Sequence, residues 1–458
     1  MVPRPHVFLI CVDALRADCF DPDAMVWSEG GSPATPALDE LAAGSMVWTR
    51  AFSSSSWTKP SVPSMLTSLH PSEHGVLEVE RRAGQGASAA ALPDGVATLA
   101  ELLRDQGYRT TGIAHNAQLD PTLGFDRGYD SYTCEGGTGD EIIARLLTLR
   151  PWATGPSFNH LHLIDPHWPF SRSVQERAEA DSGGRFPFHR MRAPAWKELK
   201  ADLKHGRVTL AEDESRFLRH VYRLAVEDVD RALRRLFVEL SATGILEQSV
   251  IVFTSDHGEE MLDHGLVGHG QSLWDELIRI PLFLRVGNAT GVTWPGPRRV
   301  DNELASHVDL LPTLAAVGGW KPTHRVAGRD LLAEPSPPFV FAEVKHKRRY
   351  RQAVTDGRWK LVRTYIFERE LDDQGRSAAD TNNLEELFAD RPRRVERELY
   401  SLERDPGERR DLARVEPEAM KRLEAALDRW WEGRSPRGQH TRALEEELIR
   451  RLEALGYL

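Results

Sequence analysis

The chain lacks the features that define several large classes of protein. Its 458 residues include three cysteines, Cys11, Cys19 and Cys134, without metal-binding spacing, so neither a disulfide framework nor a cysteine metal site is expected. No apolar run approaches the roughly 20 residues of a membrane span, and the short run at 8–12 is accounted for by a first strand, so we predict a cytoplasmic protein without a secretory signal. The net charge of −10 disfavours a nucleic-acid partner.

The composition and the order of the apolar segments are typical of an enzyme with an α/β fold. Apolar residues make up 40% and charged residues 28% of the chain, which are ordinary values for a soluble enzyme. Segments of strand character alternate with segments of helical periodicity, as in a doubly wound sheet. From about residue 335 the pattern changes to short strands, with the hairpin signal Asp356-Gly357 between two of them. We therefore predict one domain over residues 1–334 and a C-terminal subdomain over residues 335–458, with a small sheet and terminal helices.

Two apolar runs end in acidic residues. The run HVFLICV at 6–12 reads as a buried parallel strand and is followed by Asp13, and VIVFTSDH at 250–257 ends in Asp256 and His257. Because ligands collect at the carboxyl ends of strands in open α/β sheets, these side chains are candidate metal ligands, although loop capping is the simpler interpretation of each alone. Carboxylates, an imidazole and a hydroxyl or water oxygen suit Mn, Mg, Ca or Zn.

Thr58 lies in the segment WTKPSVPSMLTSLHPSEHG at 57–75, just ahead of a predicted helix. Pro60 and Ser61 are good helix-start residues, and apolar residues follow at helical spacing. The unpaired N–H groups and the dipole of a helix start favour a bound anion such as a phosphoryl or sulfuryl group. The alternative is that Thr58 and Ser61 serve only as capping residues.

A third strand-like run, SFNHLHLIDPHWPF at 157–170, leads to Asp165-Pro166-His167. Proline after Asp165 ends the strand and places both polar side chains on one rim, although Asp165 could instead cap the turn. His162 lies before the rim and is interpreted as a core histidine.

These segments together resemble the sulfatase family of the alkaline phosphatase superfamily. In that family the nucleophile segment reads Cys or Ser, any residue, Pro, Ser, Arg, and then Leu-Leu-Thr-Gly after two variable positions. The part from Gly268-His269-Gly270 to Leu282 and the C-terminal motif Glu398–Leu402 are also similar to sulfatase segments. The resemblance implies an alkaline-phosphatase-like α/β fold, with a mostly parallel central sheet flanked by helices and a smaller C-terminal antiparallel sheet subdomain.

The resemblance also implies roles for individual residues. His167 and His269 fall where family members contact the transferred group or the leaving-group oxygen. The implied metal ligands are Asp13, Thr58, Asp256 and His257. Asp18 fits a variant of the first motif and is expected to be structural, paired to an arginine.

Thr58 occupies the position that sulfatases oxidise to formylglycine. A threonine carries an extra methyl group on Cβ, and Val62 replaces the arginine of the modification signal, so formylglycine is not expected here. Ala14 also replaces a second acidic residue of the first motif. Relatives with a threonine nucleophile transfer phosphoryl groups, so Thr58 is the expected nucleophile.

The leading hypothesis is a metal-dependent hydrolase of a sulfate or phosphate ester, with phosphodiesters or substituted phosphomonoesters favoured. A phosphoryl transferase and a catalytically decayed binding protein are the alternatives. Spare residues such as Asp165 and His264 leave open whether one ion or two are bound.

The expected partner is a small anionic ester substrate. The charge-rich stretch 174–206 is predicted to be an irregular insertion over the site, and the basic run 345–351 is either a solvated hairpin or a rim that attracts an anion. Residues 441–455 are predicted to form a last helix that folds back on the chain or mediates oligomerisation.

Overall fold

A computed structural model describes residues 4–20, 31–82, 86–183, 193–367, 384–389, 391–436 and 440–457. The strands are β1 (His6–Val12), β2 (Met46–Phe52), β3 (Val79–Arg82), β4 (Gly86–Ala91), β5 (Arg109–Ala114), β6 (Ser131–Cys134), β7 (Ser157–Leu163), β8 (Ser249–Ser255), β9 (Glu260–Met261), β10 (Val267–Gly268), β11 (Arg279–Val286), β12 (Arg298–Ser306), β13 (Val340–His346), β14 (Arg349–Thr355), β15 (Trp359–Ile366), β16 (Arg394–Ser401) and β17 (His440–Ala443).

The helices are α1 (Pro36–Ala43), α2 (Thr58–Thr67), α3 (Pro71–His74), α4 (Leu99–Asp105), α5 (Gly139–Leu149), α6 (Arg172–Asp181), α7 (Ala193–Lys204), α8 (Glu212–Ala242), α9 (Asp275–Ile278), α10 (Leu310–Gly318), α11 (Leu384–Ala389), α12 (Pro417–Gly433) and α13 (Glu446–Ala454). Short 3-10 turns occur at Ala17–Phe20, Ala117–Leu119, Pro121–Leu123, Pro151–Thr154, Leu246–Gln248 and His307–Asp309.

An eight-stranded sheet forms the centre of the fold, in the order β12-β2-β11-β8-β1-β7-β5-β6. Strand β1 pairs in parallel with β7 and β8, whereas β11 runs antiparallel to both of its neighbours. The mostly parallel α/β fold expected from the sequence is confirmed. The carboxyl ends of β1, β2, β5, β7, β8 and β12 consequently meet at one edge of the sheet.

Alternate residues of β1 are buried on opposite faces of the sheet. Val7, Leu9 and Cys11 belong to one apolar core, and Phe8 and Ile10 belong to the other. This two-sided burial explains why the strand reads as a continuous apolar run rather than an alternating one. Helices α2, α4 and α10 supply the first core, and the long α8 supplies much of the second.

A four-stranded antiparallel sheet, β13-β14-β15-β16, follows in the chain. The predicted hairpin is present at Asp356-Gly357, where Gly357 adopts a φ of 83° that favours glycine. Val340 and Ala342 of this sheet pack with Phe52 and Leu304 of the central sheet. The domain boundary near residue 335 stays a prediction.

Two sequence predictions need correction. The stretch 174–206 is not irregular in its described parts, because α6 and α7 occupy much of it; residues 184–192 lie outside the described residues. The last helix begins at Glu446 rather than at 441, because residues 440–443 form β17, which pairs with β4. Leu448 and Leu452 of α13 are buried in the main core, so this helix folds back on its own chain.

The helices of the described residues are each too short or too polar to span a lipid bilayer. The three cysteines are unpaired and buried, as expected for Cys11 within β1.

Candidate active site

Polar side chains from several strand ends converge at the carboxyl edge of the central sheet. Asp13 follows β1, Asn116 follows β5 and Asp256 follows β8, and all three are fully buried. The prediction that Asp13 and Asp256 share one strand-tip site agrees with this arrangement.

Thr58 is the first residue of α2, whereas the sequence predicted it just ahead of the helix. Trp57 precedes it in extended conformation and ends the segment that leads from β2. The Thr58 hydroxyl oxygen, Oγ1, lies 3.3 Å from His257 Nε2 and 3.4 Å from Asp13 Oδ2. The Thr58 hydroxyl therefore faces Asp13 and His257 at the strand ends, and Thr58 itself is at the N-terminus of the helix.

Ser61 holds the helix start against the tip of β8. Its hydroxyl donates to the main-chain oxygen of Asp256 at 2.6 Å and contacts His307 Nδ1 at 3.1 Å. Because the other ring nitrogen of His307 contacts the Ser255 carbonyl oxygen at 2.8 Å, α2 and β8 are tied together through side chains. Ser61 lies inside α2 rather than at its N-cap, so it connects two elements and is not a helix cap.

Asp13, Asp256 and His257 form a group with the chemistry of a divalent metal site. One donor atom from each residue lies within 4.8 Å of the others. Asp13 Oδ1 and Asp256 Oδ2 are buried, and no described residue donates a well-aligned hydrogen bond to either. Buried carboxylate oxygens without donors are costly, so the group is suited to a cation.

The two carboxylates of this group change the protonation of its imidazole. Burial opposes protonation of His257, but the carboxylates of Asp256 and Asp13 raise the pKa of that imidazole to about 9. The positive imidazole thus compensates the acidic pair, and a divalent ion bound by neutral His257 would supply the same compensation.

His162 belongs to this cluster, which corrects its interpretation as a core histidine. Its Nε2 lies 3.5 Å from Asp256 Oδ2 and 4.0 Å from Asp13 Oδ2. The cause is the strand register, since His162 pairs with Cys11 on β1, two residues before Asp13. Cys11, His162 and Asp256 form a second group with metal-ligand spacing.

His167 and His269 lie together on the rim of the site. Their ring centroids are 4.8 Å apart, and the His269 ring is 4.4 Å from that of His257. Glu259 orients His269 through a contact of 3.2 Å to Nδ1. Burial lowers the pKa of His167 to about 4 and also lowers the pKa of His269, so both imidazoles are neutral near pH 7.

Asn116 and Tyr457 are site residues that sequence reasoning missed. Asn116 Nδ2 donates to Asp13 Oδ2 at 2.6 Å and lies 3.2 Å from Thr58 Oγ1. Its position directly beyond β5 was an available signal, because that strand ends at the same edge of the sheet. Tyr457 lies 399 positions from Thr58, and no local pattern marks it.

Comparisons with known proteins identify the family of this chain. Residues 5–320 match the family model described as Sulfatase. The chain belongs to the sulfatase family. It is 27% identical to arylsulfatase A of Bos taurus, an alignment that covers 85% of this chain and 81% of the relative. It is 26% identical to a multifunctional alkaline phosphatase superfamily protein of Trinickia caryophylli, over 77% of this chain and 82% of the relative.

A solved structure supports the same fold over the full length. The phosphonate monoester hydrolase of Silicibacter pomeroyi superposes with a TM-score of 0.68 at 19% identity, covering 97% of this chain and 100% of that protein. As a member of the sulfatase family, the chain is a hydrolase of sulfate or phosphate esters.

Two of the spare ligands suggested by the sequence have other partners in this sulfatase. Asp165 accepts from the backbone N–H of Gly139 at 2.8 Å and so contacts the start of α5. His264 Nδ1 contacts Glu276 at 2.7 Å, and its ring stacks on Trp274 at 3.7 Å. Asp18 pairs with Arg16 at 2.6 Å, as expected for a structural residue.

A cavity of about 680 Å³ opens beside Tyr457, His167 and His269 in this sulfatase. Its other walls include α7, residues 266–271 and the turn between β13 and β14. The charged side chains of its lining are Glu78, Lys197, Lys200, Lys204, Glu259, Lys345 and Lys347. The cavity is thus rich in lysine, although the whole chain carries a net charge of −10.

Proposed function

We propose that this chain is a metal-dependent ester hydrolase that uses Thr58 as its nucleophile and favours phosphate over sulfate esters. The observation that carries the proposal is the Thr58 hydroxyl, held within 3.3–3.4 Å of His257 and Asp13 at the start of α2. Phosphodiesters or substituted phosphomonoesters are the favoured substrates.

Asp13, Asp256 and His257 are the proposed metal ligands, together with Thr58. A divalent ion bound there supplies positive charge that favours the deprotonated, attacking form of the Thr58 hydroxyl and offsets the charge of the transferred group. Mn, Mg, Ca and Zn all suit this donor set.

His167 and His269 are the proposed groups that orient the ester and its leaving-group oxygen. Both are neutral imidazoles at the cavity end of the site, so they can donate or accept a hydrogen bond without adding charge. The N–H groups at the start of α2 favour the negative charge of the transferred group.

The preference for phosphoesters rests on the nucleophile. Threonine at position 58 cannot form the aldehyde of formylglycine, because its Cβ carries a methyl group. A single metal group beside Thr58 neutralises the one negative charge of a diester more completely than the two of a simple monoester. Relatives of this chain include both an arylsulfatase and a multifunctional alkaline phosphatase superfamily protein, which supports an ester of either kind.

The lysine-rich cavity supports an organic part of the substrate that carries its own negative charge. Burial lowers the pKa of Lys204, and the nearby charges of Lys347, Arg349 and Arg351 lower it further. Like charges held together this way repel one another, and an anionic ligand would relieve that repulsion. The stacked indoles of Trp168 and Trp196, 5.5 Å apart, form another part of the wall.

We expect Lys204→Ala to raise KM for an aryl phosphodiester whose leaving group carries a carboxylate by up to roughly 5-fold, because an exposed charge pair is worth up to about 1 kcal/mol. KM for the uncharged analogue should stay within about 1.5-fold, and the difference should shrink at 0.5 M salt. Lys421→Ala, an exposed lysine on α12, is the matched control. Equal effects on both substrates would contradict an anion-binding cavity.

The proposed function is tested by turnover of matched aryl sulfate, aryl phosphate monoester and aryl phosphodiester, each with Mn, Mg, Ca or Zn after removal of bound metal. We expect phosphodiester turnover that requires metal and exceeds sulfate turnover. Faster turnover on adding alcohols, with loss of hydrolysis, would identify a transferase instead. Tight metal binding without turnover of any ester would identify a binding protein.

The cytoplasmic location expected from the sequence also stays a prediction.

A further inference from the structure

Tyr457 places a phenol hydroxyl inside the candidate active site. Its Oη lies 2.8 Å from His167 Nε2, 3.1 Å from Asn116 Nδ2 and 3.5 Å from Thr58 Oγ1. Two of these three neighbours already have proposed roles in catalysis, and the third holds Asp13. The hydroxyl is therefore surrounded by the groups that face the reacting ester.

The segment that carries Tyr457 is firmly anchored. Leu448 and Leu452 of α13 are buried in the main core. Arg451 donates to Asp120 Oδ2 at 2.9 Å and to the Cys134 carbonyl oxygen at 2.6 Å. Strand β17 pairs with β4 just before the helix, so the chain is held by this strand as well as by α13.

The end of α13 directs Tyr457 into the site. Gly456 adopts a φ of 82°, and the Tyr457 N–H donates to the Leu452 carbonyl oxygen at 2.9 Å. This is the pattern of a helix that ends with a left-handed glycine, which turns the following residue back across the helix end. A Cβ at position 456 would lie 3.4 Å from the Trp168 ring, so the segment packs closely there.

The ring of Tyr457 separates Thr58 from the lysine-rich cavity. It lies 6.0 Å from the Trp57 ring and 5.6 Å from the His167 ring, and it lines the cavity together with His269. Tyr457 thus has its ring in the cavity wall and its hydroxyl against Thr58.

We propose that Tyr457 is a substrate-contacting residue whose hydroxyl donates a hydrogen bond to the leaving-group oxygen of the ester, an inference that rests on the proposed function of Thr58. In the absence of substrate the Tyr457 hydroxyl contacts His167 Nε2 at 2.8 Å, and Asn116 Nδ2 can only donate to it. Rotation about the C–O bond is enough to direct the hydroxyl proton to the substrate.

The step balances without proton transfer from Tyr457. Thr58 Oγ1, whose proton passes to solvent water, forms the new bond to phosphorus or sulfur, and the bond to the leaving oxygen breaks with its electron pair remaining on that oxygen. The hydrogen bond from Tyr457 stabilises this negative charge as it develops. The leaving oxygen then takes a proton from water. Attack of a water molecule on the Thr58 ester later releases the transferred group and restores the hydroxyl.

The anchoring argues against a removable plug. A self-blocking segment must leave before substrate binds. Release of Tyr457 would break its contacts with His167 and Asn116 and its N–H bond to Leu452. Displacement of the whole segment would also disrupt the buried leucines and the Arg451 contacts. Tyr457 is thus a fixed part of the site rather than a transient occupant.

The test is the variant Tyr457→Phe, which removes only the hydroxyl. It is assayed as the metal-loaded full chain on a series of aryl phosphodiesters whose leaving phenols have increasing pKa. We expect kcat to fall roughly 30-fold for the poorest leaving group and less than about 3-fold for nitrophenol, with KM within about 2-fold, since a hydrogen bond to a developing charge is lost. The dependence of log kcat on leaving-group pKa should therefore become steeper.

Tyr108→Phe is the matched control, because the Tyr108 hydroxyl is buried without a hydrogen-bond partner among the described residues. An equal loss for all leaving groups, accompanied by a lower unfolding temperature, would overturn the inference in favour of a structural role. Faster turnover in Tyr457→Ala, which also removes the ring, would overturn it in favour of a plug. If the wild type hydrolyses no ester, the proposed function fails and this inference fails with it; an unchanged variant of an active wild type removes only the inference.

Discussion

Thr58→Ala is expected to lower kcat/KM for the preferred ester by at least about 10³-fold, because removal of a nucleophile leaves only binding and electrostatic stabilisation. Thr58→Ser, which keeps the hydroxyl, should retain measurable turnover. Acid quenching of the wild type during turnover should also trap a covalent adduct on Thr58, detectable by mass spectrometry of the peptide that contains it.

Thr67→Ala is the control for this prediction. Thr67 lies at the other end of α2, is equally buried, and donates to the Pro63 carbonyl oxygen of its own helix at 2.6 Å. Loss of that hydrogen bond should cost about 1 kcal/mol of stability and leave turnover unchanged. Turnover in Thr58→Ala within tenfold of the wild type would refute Thr58 as nucleophile, most directly if the surviving activity is on sulfate esters.

Asp13→Asn is expected to weaken divalent-metal binding by at least about 100-fold, since an amide oxygen replaces a charged ligand at the centre of the group. In the wild type, metal at 100 times its Kd should stabilise the fold by about 2.7 kcal/mol, and the variant should lose this increment at the same metal concentration. Titration calorimetry and thermal unfolding with and without chelator measure the two quantities.

Asp13→Asn distinguishes between two overlapping groups of candidate metal ligands at this site. Asp13 and His257 belong to one group, Cys11 and His162 belong to the other, and Asp256 belongs to both. Cys11→Ala should therefore bind metal as the wild type does, and Glu276→Gln, in a third group around His264, should have no effect. Retained affinity in Asp13→Asn with lost affinity in Cys11→Ala would assign the ion to the other group.

Metal binding should also depend on pH in a defined direction. His257 must be neutral to bind a metal, and in the metal-free protein the neighbouring carboxylates raise its pKa to about 9. Binding near pH 7 therefore releases a proton, and the affinity falls as the pH is lowered. Calorimetry in two buffers with different ionisation enthalpies would detect the released proton.

The site residues at the strand ends could be predicted, because each directly follows an apolar run that is recognisable in the sequence. A buried parallel strand such as β1 is a continuous apolar run, so the first polar residue after it, Asp13, marks the sheet edge. The same holds for Asp256 after β8. His162 was misread because it lies inside β7, where side chains are normally core, and only its pairing with Cys11 brings it to the carboxylates.

The cavity wall could be predicted only in part. The sequence predicts that the stretch 174–206 lies over the site, and it leaves the basic run 345–351 as either a solvated hairpin or a rim that attracts an anion. In the structure, α7 and Lys347 line the cavity. That α7 is a helix was missed, although Trp196, Leu199 and Leu203 recur at helical spacing and pack on one apolar core.

The sequence by itself determined the α/β class, the sulfatase resemblance and the residues at the strand tips. A buried strand and the polar residue that follows it are adjacent in the chain, so both can be recognised from a short stretch of sequence. Only the tertiary structure decided that His162, Asn116 and Tyr457 join Thr58. Their proximity depends on strand register, on the order of strands in the sheet and on the docking of α13, and these are set by contacts between segments far apart in the chain.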